Sequence, residues 1–248
     1  INAAAVTYDL ATDPEHGAQA RATSPQTGRP INRWTHVPRT RDDLVKKAKM
    51  MRVAGRVTGT CFQRCVGMDA LITLHSVTHD VDQKHGTAYH ERFKKFLVET
   101  QDRDLMSDGA MTDPKGDRSK RPHEQHDPDL FVRVVERRED GVVVRGAKMH
   151  QTGAVNSHQF IVLPGQALGP EDKDYAVACA VPADAPGVIQ VFGRQVNDSR
   201  KWEGTIDQGN ATYGVVGGEA LVIFDDVFVP WERVFMLGEV EFAGTLVE

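Results

Sequence analysis

LFVRVVERREDGVVVRGAKMH, Leu130 to His150, is two runs of β-branched residues joined through Glu139-Asp140-Gly141. An acidic-Gly connection between two such runs signals a β-hairpin. The same texture continues downstream in FIVLPG (160–165), YAVACAVP (175–182), VIQVFG (188–193) and ALVIFDDVFVPW (220–231). Gly, Pro, Asn and Asp punctuate these runs, so the spacing predicts an antiparallel β domain over residues 106–237. Upstream the period changes. RDDLVKKAKMMRVAGRVTGTCFQRCVGMDALITLHSVTHDVD (41–82) and HERFKKFLVETQDRDL (90–105) carry apolar residues at helical spacing, with breaks expected near Gly55–Gly59 and Gly86. Asp42 and Asp43 stand where a helix N-terminus favours acids. Residues 1 to about 38 read as an irregular arm with short helical pieces, so residues 1–105 form an arm and helical domain. Residues 238–248 read as the first turns of a further helix with no Gly, Asn or Pro to close it. That ending, and the Ile at position 1, lead us to expect an N-terminal fragment of a longer chain.

Composition narrows the function. The 248 residues carry 30 basic and 35 acidic side chains, a formal charge of −5, and 40% hydrophobic residues. These values exclude a disordered chain and argue against a nucleic-acid binder, which needs a basic patch. No apolar stretch is long enough to span a membrane, and INAAAVTYDLATDPEHG lacks the pattern of a signal peptide. Three cysteines do not make a disulfide framework, so a cytoplasmic protein is expected.

Several constellations could carry chemistry. Cys61 and Cys65 form a C-x3-C that a helix would place on one face, where two thiols can share a metal or cluster. Two thiolates do not complete a site, and Cys179 lies in an apolar strand as core. His75 and His79 form an H-x3-H without the Glu of a zinc protease, and read as solvated or structural. His123, His126 and Asp127 are polar loop residues. The loop from Met111 through Thr112, Asp113, Lys115, Asp117 and Arg118 to Ser119 gathers hydroxyls, backbone N–H groups and cations suited to a phosphate-bearing cofactor. A solvated turn would look similar. The loop Lys148–His158 sets hydrogen-bonding side chains at a strand end, as the rim of a planar heterocycle requires, or water would. Glu219, between two glycines and an apolar strand, is either a partly buried acid suited to proton transfer or a strand-edge residue facing water.

Taken together, PINRW (30–34), GTCFQRC (59–65), TDPKGDRS (112–119), HDPDLFVRVVERREDGVVVRGAKMHQTGAVNSH (126–158) and DDVFVPWERVF (225–235) resemble the 4-hydroxyphenylacetate 3-hydroxylase / 4-hydroxybutyryl-CoA dehydratase family. The likeness runs from Pro30 to Glu248, and the cysteine pair points to the dehydratase branch. The resemblance implies an α+β, acyl-CoA dehydrogenase-like fold: a helical domain, a middle β-barrel over 106–237, and a C-terminal helical bundle of which 238–248 is the start. It implies a homotetramer with FAD, a [4Fe–4S] cluster and an acyl-CoA substrate, and neither nucleic acid nor membrane as partner. Cys61 and Cys65 match the first two cluster ligands; a His and a third Cys are expected beyond Glu248. Residues 111–119 and His150, Gln151, Thr152 and Gly153 match flavin-contacting segments, while Gln63 and Glu219 match active-site positions. The implied activity is radical dehydration of 4-hydroxybutyryl-CoA to crotonyl-CoA, with vinylacetyl-CoA Δ-isomerisation. A reduced-flavin aromatic hydroxylase and a catalytically inactive relative are the alternatives.

Overall fold

The computed structural model describes residues 2–59, 61–192 and 219–247. The arm holds α1 (Asn2–Asp9), α2 (Gly17–Ala20) and a small hairpin of β1 (Arg21–Thr23) and β2 (Pro30–Asn32) that the sequence did not signal. Three helices follow: α3 (Arg41–Thr58), α4 (Cys65–His85) and α5 (Tyr89–Asp102). Thr40 accepts from the Asp43 N–H while the Asp43 carboxylate accepts from the Thr40 N–H, a reciprocal cap that fixes where α3 begins. The helix runs through Gly55 and ends at Gly59, whose φ of 61° is the left-handed closure expected of a terminal glycine. Gly86 closes α4 in the same way.

The strands are β3 (Ser107–Ala110), β4 (Arg133–Arg137), β5 (Gly141–Thr152), β6 (Gln159–Val162), β7 (Val177–Pro182), β8 (Val188–Phe192), β9 (Glu219–Pro230) and β10 (Val234–Leu237). The Glu139-Asp140-Gly141 connection does join an antiparallel pair, β4 and β5. The expected closed barrel is not found among the described residues. Instead there are two four-stranded sheets, ordered β10-β7-β6-β3 and β4-β5-β9-β8. Nor is the pairing wholly antiparallel, because β3 runs parallel to β6. The physical reason is the route of the chain: between them it crosses to the second sheet, turns through the β4–β5 hairpin, and returns in the original direction.

Alternation along the strands builds three layers. In β7, Val177, Cys179 and Val181 face the second sheet and pack with Val142, Val144, Val222 and Phe224. The intervening Ala178 and Ala180 face α4 and α5, packing among Leu74, Val77, Phe93 and Leu97. This sheet is therefore buried on both faces, which is why its strands read as nearly continuous apolar runs. Cys179 is fully buried, as expected of core. At the other end, Val240–Phe242 is a 3-10 turn, not the opening of an α-helix. Glu239 and Glu241 fasten it to α5 and α4 through Tyr89, Lys84 and His85, and Leu246 is buried in the helix-facing core. None of the described helices is long and apolar enough to cross a membrane.

The helical layer meets the first sheet most closely where the N-terminus of α4 crosses β3. A Cβ on Gly67 would lie 1.9 Å from the Ser107 carbonyl oxygen, and one on Gly109 would lie 2.6 Å from Val66 Cγ1. Two glycines thus let backbone approach backbone. Gly67→Ala should cost about 3 kcal/mol, because rigid main chain blocks the added carbon; a thermal midpoint in the native protein unchanged within a degree would contradict this.

On the same strand, Asp108 is 3% exposed, and its Oδ2 has no hydrogen-bond partner. Burial pushes its carboxyl up to about 7. A raised acid pKa means that the folded state holds the proton more tightly than the unfolded one, so stability falls as pH rises from 3.8, the group's ordinary value, to about 7. Asp108→Asn should flatten that part of the stability profile, removing a loss of at most about 4 kcal/mol. Unfolding curves with the same pH slope in variant and wild type would refute it.

Candidate functional site

Cys65 opens α4, whereas Cys61 lies four residues earlier on a non-helical turn, so the two thiols do not share one helix face as the spacing predicts; the positive φ of Gln63 between them interrupts the helical run. Their thiols hydrogen-bond to each other. That bond, with one from the Gln63 N–H, brings Cys61 down to about 6, and Cys65 is pushed up correspondingly by the same bond and by burial. Cys61 is therefore the natural thiolate of the pair. The turn is held in an uncommon shape: Gln63 has a φ of 62°, a region that non-glycine residues enter rarely. Arg64 secures it from below. Its side chain is 2% exposed and its guanidinium pairs with Asp104, reaches Thr7 Oγ1 at 3.5 Å, and stacks 4.5 Å from the centre of the Tyr8 ring. Asn32 donates to both Asp104 Oδ2 and the Thr7 carbonyl, so α1 and β2 of the arm belong to the support of the cysteine turn.

The ends of β5 and β9 face this turn. A bulge between Lys148 and Gln151 shifts the register against β9, and within it His150 takes a φ of 56°. Bulges re-aim side chains and recur beside active sites. Beyond it, Thr152 stands directly across from Glu219, and its hydroxyl donates to Glu219 Oε1 at 3.1 Å. Glu219 Oε2 lies 3.4 Å from His150 Nδ1. The carboxylate is 39% exposed, so it is the water-facing acid at a strand edge and not a sequestered one. It is also close enough to Cys61 to oppose ionisation of that thiol. Gly153 completes the junction, because a Cβ there would lie 2.8 Å from Gln63 Cβ. Gln63 Oε1 accepts from Asn156 Nδ2 at 2.7 Å. Cys61, Gln63, Thr152, Gly153 and Glu219, read from separate parts of the sequence, thus come together. Gln151 turns inward, 3% exposed, and donates to the Met149 carbonyl.

The loop 111–119 lies alongside. The Met149 N–H donates to the Thr112 carbonyl at 2.9 Å, joining the loop to the strand that carries His150 and Thr152. Thr112, Asp113, Lys115, Asp117, Arg118 and Lys120 border a cleft of about 260 Å³. Asp117 accepts from the backbone N–H and hydroxyl of Ser119, and Gln125 ties the loop together from within, accepting from the Asp117 N–H and donating to the Asp117 and Lys120 carbonyls. The cations suit a phosphate-bearing group.

Other candidates lie elsewhere. His75 and His79 flank His90 at ring separations of 5.0 and 5.5 Å, and burial with neighbouring cations takes His75 down to about 4. His123 binds the fully buried Asp172 carboxylate at 2.7 Å, a structural role. Among the described residues, no group of three or more His, Cys, Asp or Glu side chains is arranged to hold a metal. Sequence reasoning missed Arg64 and Lys148, whose acidic partners Asp104 and Asp113 are distant in the chain, and Gln125, which ties the loop 111–119 together from five to eight residues away. Polar residue types at apolar strand or helix positions were the signal available for Lys148 and Arg64.

With this geometry in place, comparison with known proteins is informative. Residues 1–236 match the sequence model described as 4-hydroxyphenylacetate 3-hydroxylase N terminal. The chain is 52% identical over its whole length to 4-hydroxybutyryl-CoA dehydratase/vinylacetyl-CoA-Δ-isomerase of Clostridium aminobutyricum, covering 51% of that protein. A solved oxygen-tolerant archaeal 4-hydroxybutyryl-CoA dehydratase from N. maritimus superposes with a TM-score of 0.93 at 55% identity, over 99% of this chain and 48% of that one. The oxygenase component of 4-hydroxyphenylacetate 3-monooxygenase, solved with FAD, superposes with a TM-score of 0.80 at 27% identity, over 99% and 49%. The chain therefore spans about half the length of the relatives it matches.

Proposed function

The chain belongs to the 4-hydroxyphenylacetate 3-hydroxylase family, and we propose that its protein dehydrates 4-hydroxybutyryl-CoA to crotonyl-CoA and isomerises vinylacetyl-CoA, using FAD and a [4Fe–4S] cluster. The observation that carries this reading is the meeting of the Cys61–Cys65 turn with Thr152 and Glu219. An oxygen-activating flavin site has no need of paired thiols, whereas a cluster does. Higher identity to the dehydratases than to the hydroxylase supports the same choice. On this reading residues 1–105, 106–237 and 238–248 are a helical domain, a β domain and the lead into a C-terminal helical domain. The subunit is acyl-CoA dehydrogenase-like, assembles as a cytoplasmic homotetramer, and receives its remaining cluster ligands from beyond residue 248.

The residues present fit both groups. Two soft sulfur donors, Cys61 on the turn before α4 and Cys65 at the first residue of that helix, with Cys61 readily ionised, make half of a cluster's ligand set. The cationic cleft beside residues 111–119 fits the phosphates of FAD, and the His150–Gly153 segment adjoins it through the Thr112–Met149 hydrogen bond. When bound, the flavin supplies a one-electron oxidation and the cluster iron a Lewis acid for the departing hydroxyl.

The chemical difficulty is the proton on C3, which the thioester does not acidify, whereas it does acidify C2. The chain's own part is proton handling and positioning. Glu219 takes the substrate carbon's proton on Oε2, because Thr152 occupies Oε1 as a donor and so fixes the carboxylate's orientation. His150 Nδ1 lies 3.4 Å from Oε2, on the side of the carboxylate that Thr152 leaves open. Gln63, with its amide held by Asn156, presents a fixed polar edge beside the cysteines.

Anaerobic turnover of 4-hydroxybutyryl-CoA by the native protein tests this function. Cys61→Ala should lose cluster iron and dehydration together; full iron content and turnover in that variant would defeat the assignment. Glu219→Gln should keep iron and flavin while slowing both reactions by roughly 10²–10⁴-fold, the usual contribution of a positioned acid–base. Wild-type rates would remove Glu219 from the mechanism. Phenol-dependent oxygen uptake with reduced flavin, and no dehydration, would establish the hydroxylase reading instead.

A further inference from the structure

Lys148 is a deeply buried cation beside the site. It lies on β5 with its side chain 2% exposed, in a wall that includes Phe131, Val132, Val162, Leu163 and Val177. Its ammonium has three protons and the structure supplies three acceptors: the Met111 carbonyl at 2.9 Å, Asp113 Oδ1 at 2.6 Å and the Leu163 carbonyl at 2.7 Å. Two of the three belong to the first residues of the loop 111–119, and the third follows the end of β6. One side chain thus fastens the root of the loop to the first sheet.

Packing alone does not explain a charge here. A buried ion pair is often no more stabilising than apolar residues of the same volume, because desolvation consumes the attraction. The explanation lies in what Asp113 borders. Its carboxylate is 15% exposed and stands in the wall of the cleft with Lys115, Arg118, Lys120 and Asp117. Without Lys148, Asp113 would present an uncompensated negative charge to any anion in that cleft. With it, four cations stand against two carboxylates, and Asp117 is further engaged by Ser119.

We propose that Lys148 is a positioning residue for the cofactor's phosphates: by neutralising Asp113 and tying down residues 111–113, it leaves the cleft with a net positive charge toward a pyrophosphate, although Asp117 still pairs with Lys120. This rests on the reading that FAD occupies the cleft. The role is electrostatic, so it distinguishes flavins that carry phosphate from those that do not.

The test is flavin binding to the native protein after removal of its flavin, with FAD and riboflavin as separate probes. Lys148→Met should weaken FAD by about tenfold or more, near one charge's worth of interaction, while riboflavin changes by less than about threefold. Removing one partner of a buried pair can also prevent folding, so the double variant Lys148→Met, Asp113→Asn is the decisive one. It restores the charge balance of the cleft without restoring the ion pair, and should bind FAD within about threefold of wild type. FAD affinity unchanged in Lys148→Met, or a folded double variant that binds FAD as weakly as the single one, would overturn the proposal. Parallel loss of FAD and riboflavin would also overturn it, leaving only a structural role. A wild-type protein that binds no FAD would instead refute the flavin reading itself, so the two failures are separable.

Discussion

Backbone-to-backbone contact between α4 and β3 is the constraint on which the site depends. Gly67 on the helix and Gly109 on the strand remove the side chains that would hold the two elements apart. The first turn of α4 therefore rests on the edge of the first sheet, and the thiols of Cys61 and Cys65 reach the same place as the ends of β5 and β9. A helix at ordinary side-chain distance would leave the cysteine turn remote from Thr152 and Glu219. The register of the second sheet completes the arrangement, since Thr152 opposes Glu219 only because a bulge at His150 has absorbed the mismatch upstream.

Around that contact lie three of the four non-glycine residues with positive φ among the described residues; the fourth, Asp226, lies farther along β9 and pairs with Arg145. Gln63, Asp104 and His150 have φ values of 62°, 47° and 56°. Two of them, Gln63 and Asp104, are held by surrounding side chains. Gln63 is pinned by Asn156 and backed by Gly153, and Asp104 by Arg64 and Asn32. Local strain of this kind persists when the surrounding packing supports it. The arm contributes to that support: Thr7, Tyr8 and Asn32 enclose the Arg64–Asp104 pair, so residues of the N-terminal arm help set the shape of the cysteine turn.

Much of the architecture was legible in the sequence because it is local. Helical period, terminal glycines and the Glu139-Asp140-Gly141 connection each mark structure within a few residues, and α3, α4, α5 and the β4–β5 hairpin follow them. The parallel strand β3 was not legible. Ser107-Asp108-Gly109-Ala110 has no β-branched residue and carries a buried acid, and its pairing with β6 depends on a crossover of some fifty positions. The two-sheet arrangement was missed for the same reason: alternation tells which face of a strand is buried but not against which sheet. The final 3-10 turn is set by contacts to α4 and α5 rather than by its own residues. At the candidate site, residue types and spacing singled out the cysteine pair, the polar loop and Glu219 as candidates. They could not show that Thr152 would lie opposite Glu219, or that Arg64 and Lys148 would find Asp104 and Asp113 some forty residues away.

The central claim is that the Cys61–Cys65 turn holds a cluster within reach of a flavin in one active site. Iron, acid-labile sulfide and flavin measured per subunit on anaerobically purified native protein test it most directly. The account predicts iron and sulfide in equal amounts, together with FAD. Flavin at full occupancy without iron or sulfide would contradict it.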